Sequence, residues 1–184
     1  MGIREIFLIL VIFCCPIPGL SNSNIKAMIA KAEVRHGLPQ GLLTSIVRVE
    51  SNFQEKAHNS HENPGVAVSS YGLGQLTIAT SESHCGLKLE NIYDPRKNLD
   101  CSARVLKFQL RRYGRDMNKA IAAYQWGTPC MCDGKVYKRQ GGKYRVCKWM
   151  GSMEPMYCNK KNLFYNQSYV DNVLNHFLFK YHRF

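Results

Sequence analysis

Glu50 is the residue in this sequence that is best placed for acid–base chemistry. Residues 42–50 are expected to form a helix, and Glu50 continues the apolar stripe of Leu42, Ile46 and Val47. A carboxyl group there loses water, and the negative end of the helix dipole also disfavours its charge. We therefore predict a raised pKa for Glu50 and a general acid near neutral pH. The alternative is a solvated glutamate at a helix end, and helix position alone favours it because buried acids are scarce. The residues that follow Glu50 in the sequence reverse this preference.

The amino terminus predicts export. Arg4 precedes an apolar run, residues 6–13, which is too short to span a bilayer and is followed by prolines and small polar residues. We interpret residues 1–23 as a signal peptide and predict a periplasmic or secreted protein. A lipid anchor on Cys14 or Cys15 is the alternative, but the bulky neighbouring residues make a poor lipidation context. No other stretch is long and apolar enough to cross a membrane.

Residues 24–184 are expected to form one domain with a basic surface and paired cysteines. The 184-residue chain has a formal net charge of +12, and removal of the leader leaves six of the eight cysteines. In an exported chain these residues predict disulfides, and a Cys85–Cys101 bridge would pin two neighbouring helices together. For the last four cysteines of the sequence, a tetrahedral zinc site is the alternative. Export favours two disulfides among them, and the sequence does not decide their pairing. The disulfide candidates are Cys85, Cys101, Cys130, Cys132, Cys147 and Cys158.

Amphipathic runs and capping residues predict a mostly helical chain with one long loop. The polar stretch 54–70 has no periodicity, so we expect a loop there. An insert at about 128–164 breaks the helical pattern, because two basic segments flank Gln140–Gly142 as in a small hairpin. The predicted helices are 24–36, 42–50, 77–86, 95–114, 117–126 and 168–182.

Five short motifs then follow one another in an order that resembles a known family. The resemblance is to the lytic transglycosylase domain with a goose-type-lysozyme-like fold, and it covers about residues 25–180 apart from the insert. It implies an all-α, lysozyme-like domain that cleaves peptidoglycan between N-acetylmuramic acid and N-acetylglucosamine. We also expect a monomer with no cofactor and no metal in its active site. The motifs are Glu50-Ser51-Asn52-Phe53, Tyr71-Gly72-Leu73-Gly74-Gln75-Leu76-Thr77, Ile92-Tyr93-Asp94-Pro95 with Asn98-Leu99, Ala122-Ala123-Tyr124-Gln125-Trp126-Gly127 and Tyr169-Val170-Asp171-Asn172-Val173-Leu174.

The resemblance assigns a role to each matching position. Glu50 stands where the family has its acid/base: it would protonate the glycosidic oxygen and then take the proton of the muramyl C6 hydroxyl, giving a 1,6-anhydro product. Gln75 would offer a donor and an acceptor to the sugar, and the Tyr124 hydroxyl would contact the catalytic carboxyl or the sugar. An ordinary turn at Gly72–Gln75 and a core tyrosine at Tyr124 are the alternatives. The implied substrate-binding residues are Asn59, Tyr71, Gly72, Gln75, Tyr124, Gln125 and Tyr169.

The sequence departs from the family pattern near the expected cleft. Gly74 stands where methionine is common, which we expect to open the cleft floor. Gln125 replaces an asparagine, Asn59 a frequent serine, and Tyr165 a glutamate that many members have. These changes concern subsites rather than the reaction.

Three function classes therefore remain open: a lytic transglycosylase, a lysozyme-type hydrolase and a wall-binding assembly factor of low activity. The small size and the absence of wall-anchoring repeats favour local wall opening for a secretion, conjugation or pilus apparatus, by family habit alone. The basic charge fits a negatively charged wall. It argues less well for nucleic acid, because the chain is exported and carries no reader motif.

Overall fold

The computed structural model describes residues 21–63, 66–126, 132–139, 142–147, 156–158 and 166–181. Residues 1–20 of the predicted signal peptide therefore lie outside the described residues. The helices are α1 (Asn22–His36), α2 (Leu42–Ser51), α3 (Ile78–Cys85), α4 (Pro95–Arg112), α5 (Met117–Trp126) and α6 (Gln167–Tyr181), with a short 3-10 turn at Leu89–Asn91. The strands are β1 (His58–Asn63), β2 (Val66–Tyr71), β3 (Leu76–Thr77), β4 (Cys132–Arg139), β5 (Gly142–Cys147) and β6 (Met156–Cys158).

All of the predicted helices are confirmed, with boundaries within two residues of the expected ones. Their ends follow the sequence signals. The Asp94 side chain accepts from two backbone N–H groups of the first turn of α4, Thr77 caps α3 in the same way, and Asp116 accepts from the N–H of Lys119 in α5. Gly37 ends α1 in the left-handed conformation, with φ of 61°.

The core surrounds α2, the helix that carries Glu50. Leu42, Leu43, Ile46 and Val47 are completely buried, and side chains from α1, α4, α5 and α6 pack against them. An apolar side chain buried in this way contributes about 1.5–3 kcal/mol relative to an exposed one. Most of the surface of α2 is therefore fixed by packing, and Glu50 lies in its last turn.

The expectation of a loop over residues 54–70 is wrong for most of that range. β1 and β2 pair antiparallel, with His58 opposite Tyr71 and Asn63 opposite Val66, and β3 adds a third strand to β2. β1 reads His-Asn-Ser-His-Glu-Asn and has no apolar alternation, so its pairing depends on main-chain hydrogen bonds that the hydrophobic pattern does not report. The short loop between β2 and β3 is Gly72–Gln75, which brings that motif next to α4 and α5.

The predicted hairpin is confirmed in its backbone. β4 pairs with β5, and β6 adds a third strand that the sequence did not indicate. Cys130 lies outside the described residues, so the choice between disulfides and zinc for the last four cysteines stays a prediction. The predicted Cys85–Cys101 disulfide is confirmed, and it links the end of α3 to the first half of α4.

None of the helices in the described part of the chain is both long and apolar enough to span a bilayer. The helices of the expected all-α fold are confirmed in the described part of the chain, and the sheet β1–β2–β3 is an addition to it.

Candidate active site

Glu50 meets a tyrosine hydroxyl from the far end of the sequence. It is half-buried near the end of α2, and the hydroxyl of Tyr169 on α6 donates a 2.6 Å hydrogen bond to Glu50 Oε1. Loss of water raises the pKa of Glu50 from 4.5 to about 7, although the Tyr169 hydrogen bond acts in the opposite direction. Desolvation is the larger effect, so the neutral acid persists to a much higher pH than in an exposed glutamate.

Tyr169 is held in place by a contact between α5 and α6. Asn166 precedes α6, and its carbonyl oxygen accepts from the N–H groups of Tyr169 and Val170. Its side-chain amide donates to the carbonyl oxygen of Ala122 at 3.0 Å and to Gln125 Oε1 at 2.9 Å. The predicted site residue Gln125 is exposed, and its amide oxygen joins the two helices.

The loop Gly72–Gln75 is fixed to α4 by one buried amide. Asn98 Oδ1 accepts from the N–H of Gly74 at 2.8 Å, and Asn98 Nδ2 donates to the carbonyl oxygens of Tyr71 and Ile92. Gly72 has a φ of 72°, and a Cβ atom there would lie 2.5 Å from Asn98 Nδ2. Glycine at position 72 is therefore required by backbone conformation and by the closeness of Asn98.

Gln75 uses its side-chain amide inside the loop. Its Nε2 atom donates to the carbonyl oxygens of Gly72 at 2.9 Å and Ala57 at 3.1 Å, and Ser70 Oγ donates to its Oε1 at 2.7 Å. Gln75 also has a positive φ of 47°. These bonds hold the loop in shape. A sugar that binds the Gln75 amide would have to share or replace them.

Gly74 does not open the cleft floor, so that expectation is wrong. A Cβ atom at position 74 would overlap with the Ser102 hydroxyl and would lie 2.8 Å from the Tyr124 hydroxyl oxygen. The Tyr124 hydroxyl donates to the carbonyl oxygen of Gly74 at 2.9 Å. The volume that a larger residue would fill at position 74 is thus occupied by α4 and α5.

Tyr124 is close enough to Glu50 for the two groups to interact electrostatically. Burial raises the pKa of the Tyr124 hydroxyl, and the charge of Glu50 raises it further. The pKa of Tyr169 is also raised well above its usual value, first by burial and then by the charge of Glu50. Both phenols therefore stay protonated and can act as hydrogen-bond donors.

The remaining predicted site residues lie on the sheet β1–β2–β3. The Tyr71 ring is half-buried and stacks on His58 with ring centroids 4.9 Å apart, and Tyr93 meets it edge-on at 5.8 Å. Asn59 is exposed on β1, opposite Ser70, and takes part in interactions within the protein. The structure therefore brings Tyr169 and Tyr124 to Glu50, and places Tyr71 and Asn59 on the neighbouring sheet.

Sequence reasoning assigned no site role to four buried polar residues that hold the elements of this site in place, although one of them, Asn98, belongs to a family motif. Glu33 lies on α1 at i+4 from the buried Ile29, so the signal that identified Glu50, an acid on an apolar stripe, was present there too. Asn98 and Ser102 lie one turn apart on the buried face of α4. Asn166 precedes a helix and resembles an ordinary cap, and its contacts with α5 leave no mark in the sequence. In the part of the chain that the structure describes, His, Cys, Asp and Glu side chains do not form a group of three or more that could hold a metal.

Comparison with known proteins identifies the family. The family model described as Transglycosylase SLT domain matches residues 27–146, and the chain belongs to this family. A transglycosylase of Enterobacteria phage PRD1 is 34% identical over 115 residues, which are 62% of this chain and 39% of the phage protein. This chain thus spans well under half of the length of that relative.

Two solved structures are similar over about half of this chain. The lytic transglycosylase Slt of Pseudomonas aeruginosa is 23% identical and has a TM-score of 0.47, with coverage of 55% of this chain and 16% of Slt. The protein DslA is 25% identical and has a TM-score of 0.42, with coverage of 50% of this chain and 69% of DslA.

Proposed function

We propose that this chain is a lytic transglycosylase that cleaves the β-1,4 bond between N-acetylmuramic acid and N-acetylglucosamine in peptidoglycan. The observation that carries the proposal is the environment of Glu50, a desolvated carboxyl group with a pKa of about 7 that receives one hydrogen bond from Tyr169. A general acid/base works best when its pKa lies near the operating pH. Membership of the transglycosylase family supplies the substrate class.

The hydrogen bond from Tyr169 assigns different tasks to the two oxygens of Glu50. Because Oε1 accepts from Tyr169, the proton of the neutral acid is carried by Oε2. In the proposed reaction Oε2 gives this proton to the glycosidic oxygen as the bond to C1 breaks. Tyr169 keeps its own proton throughout, since its pKa is far above neutral.

The second step uses the same carboxylate as a base. Glu50 takes the proton of the muramyl C6 hydroxyl, whose oxygen attacks C1 and closes a 1,6-anhydro ring, so no water is consumed. This route needs no second carboxylate. Within the described residues, neither of the two causes that shift the Glu50 pKa is another acid.

The finer parts of the proposal concern location and partners. The apolar leader supports export to the periplasm or beyond, where peptidoglycan lies. The formal net charge of +12 supports attraction to a negatively charged wall. Local wall opening for a secretion, conjugation or pilus apparatus is the proposed setting, and it rests on the habit of the family alone.

Replacement of the acid tests the proposed function. The Glu50→Gln variant keeps the volume and the acceptor for Tyr169 but cannot supply a proton, so we expect less than a few per cent of the wild-type rate of peptidoglycan clearance. Glu82→Gln is the matched control, because it makes the same Glu-to-Gln change at an exposed position on α3. Clearance by folded Glu50→Gln at a rate near that of the control would refute the assignment.

A further inference from the structure

Glu33 is a buried acid that the proposed reaction does not use. Its side chain on α1 is 3% exposed, and both of its oxygens accept hydrogen bonds from the start of α2. Oε2 accepts from the N–H of Gly41 at 2.9 Å. Oε1 accepts from the N–H of Thr44 at 3.0 Å and from the Thr44 hydroxyl at 3.3 Å.

These bonds replace a cap that α2 does not have. The first N–H groups of a helix have no partner within the helix, and a side chain at the N-cap position usually binds one of them. The N-cap residue of α2 is Gly41, which has no side chain, and its φ of 89° suits glycine. Glu33 reaches this end from eight residues earlier in the chain, so α1 and α2 are joined by directional bonds as well as by apolar packing.

α2 is therefore attached at both ends by a carboxyl group. Glu33 of α1 holds the first turn, and Glu50 in the last turn is bonded to Tyr169 of α6. A helix of ten residues is about 15 Å long, so a small slide or rotation at one end is passed to the other. Close apolar packing fixes the buried face of α2, and the hydrogen bonds at its two ends add contacts with a fixed length and angle.

We propose that Glu33 is a positioning residue for the catalytic helix: it fixes the axial register of α2 and so keeps Glu50 in its desolvated place beside Tyr169. This inference rests on the proposed function for its kinetic consequence, but the position of Glu50 can be followed without any activity. Among the described residues, Tyr169 of α6 and Tyr124 of α5 interact with Glu50, and both stay protonated. Glu33 acts on Glu50 through the helix and touches no substrate.

The Glu33→Gln variant tests the proposal because it keeps the shape of the side chain. Its amide nitrogen replaces one of the two accepting oxygens and faces a backbone N–H, so at least one bond to α2 is lost. We expect kcat on short soluble glycan chains to fall tenfold or more, with KM changed less than about twofold, since misplacement of a catalytic group by about 1 Å can cost on the order of 100-fold.

A titration of Glu50 by NMR, with carbon-13-labelled glutamate, provides a readout that does not depend on catalysis. In the wild type we expect a midpoint of about 7. In Glu33→Gln it should be lower by about one pH unit, because a shifted Glu50 regains water. If the wild type did not clear peptidoglycan, the proposed function would fail while this titration would still decide the role of Glu33.

Two further variants make the outcome decisive. Ser81→Ala is the matched control: Ser81 is fully buried on α3, and its hydroxyl has two carbonyl oxygens within hydrogen-bond distance, Leu87 at 2.9 Å and Ile78 at 3.0 Å. Its loss should lower stability and leave kcat and the Glu50 titration unchanged. Thr44→Val removes only the 3.3 Å hydrogen bond from the Thr44 hydroxyl to Glu33 and should reduce kcat about threefold. If Glu33→Gln does not fold, this variant alone tests the role of Glu33. A kcat and a Glu50 midpoint that stay at wild-type values in the folded variants would overturn the proposal and leave Glu33 a purely structural cap.

Discussion

The raised pKa of Glu50 implies that the ionised acid destabilises the folded protein, and this can be measured without substrate. The pKa is 4.5 for the unperturbed group and about 7 in the fold, so the folded state binds the proton more tightly than the unfolded state. Stability must then fall as pH rises from about 4.5 to about 7, and the full penalty is present above that range. The difference of about 2.5 pKa units corresponds to about 3 kcal/mol, as an upper bound.

The Glu50→Gln variant removes this penalty because an amide does not ionise. We expect its free energy of unfolding, relative to wild type, to increase by about 2–3 kcal/mol between pH 4 and pH 8. Urea unfolding at both pH values gives the comparison, with the slope of the transition as a check that the same surface is exposed. Glu82→Gln, at an exposed position, should show no such change. A Glu50→Gln difference that is the same at pH 4 and pH 8 would show that Glu50 is an ordinary solvated acid and would refute the reasoning.

Three other predictions concern the surroundings of Glu50. Tyr169→Phe removes the hydrogen bond that lowers the Glu50 pKa, so the alkaline limb of the pH–kcat profile should move up by about one to two pH units. An unmoved limb would contradict the assignment of Glu50 as the titrating group. Gly74→Ala forces a methyl group into filled space and should cost about 1–3 kcal/mol in urea unfolding, whereas a cost below about 0.5 kcal/mol would show that the floor is open after all. The Cys85–Cys101 bridge closes a separation of 16 residues, so its reduction should lower the free energy of unfolding by about 3 kcal/mol. Identical urea unfolding curves with and without reductant would refute a stabilising role.

The sequence was most informative where local signals agree with the fold. Asp94 before Pro95 and Gly37 after α1 determine their helix ends through short-range chemistry, and the predicted helix start at 95 and helix end at 36 are confirmed. The apolar helical stripe drew attention to Glu50, but its role as the acid/base came from its place in the motif Glu50-Ser51-Asn52-Phe53.

The sequence was least informative where contacts are long-range. Tyr169 lies 119 residues from Glu50, so no local pattern shows that its hydroxyl binds the acid. The strand β1 is polar throughout, and its pairing with β2 became visible only in the structure. The expectation that Gly74 opens the cleft floor was wrong because the sequence does not show which neighbours fill the space beside a glycine. Here Ser102 and Tyr124 fill it.

The products of peptidoglycan digestion test the central claim most directly. Purified peptidoglycan treated with the wild type should release muropeptides that end in 1,6-anhydro-muramic acid, which are 18 mass units lighter than their hydrated forms, since no water enters the proposed reaction. Glu50→Gln should release none, and Glu82→Gln should match the wild type. Reducing ends in place of anhydro ends would show a hydrolase of the lysozyme type, and equal release by Glu50→Gln would show that Glu50 is not the acid.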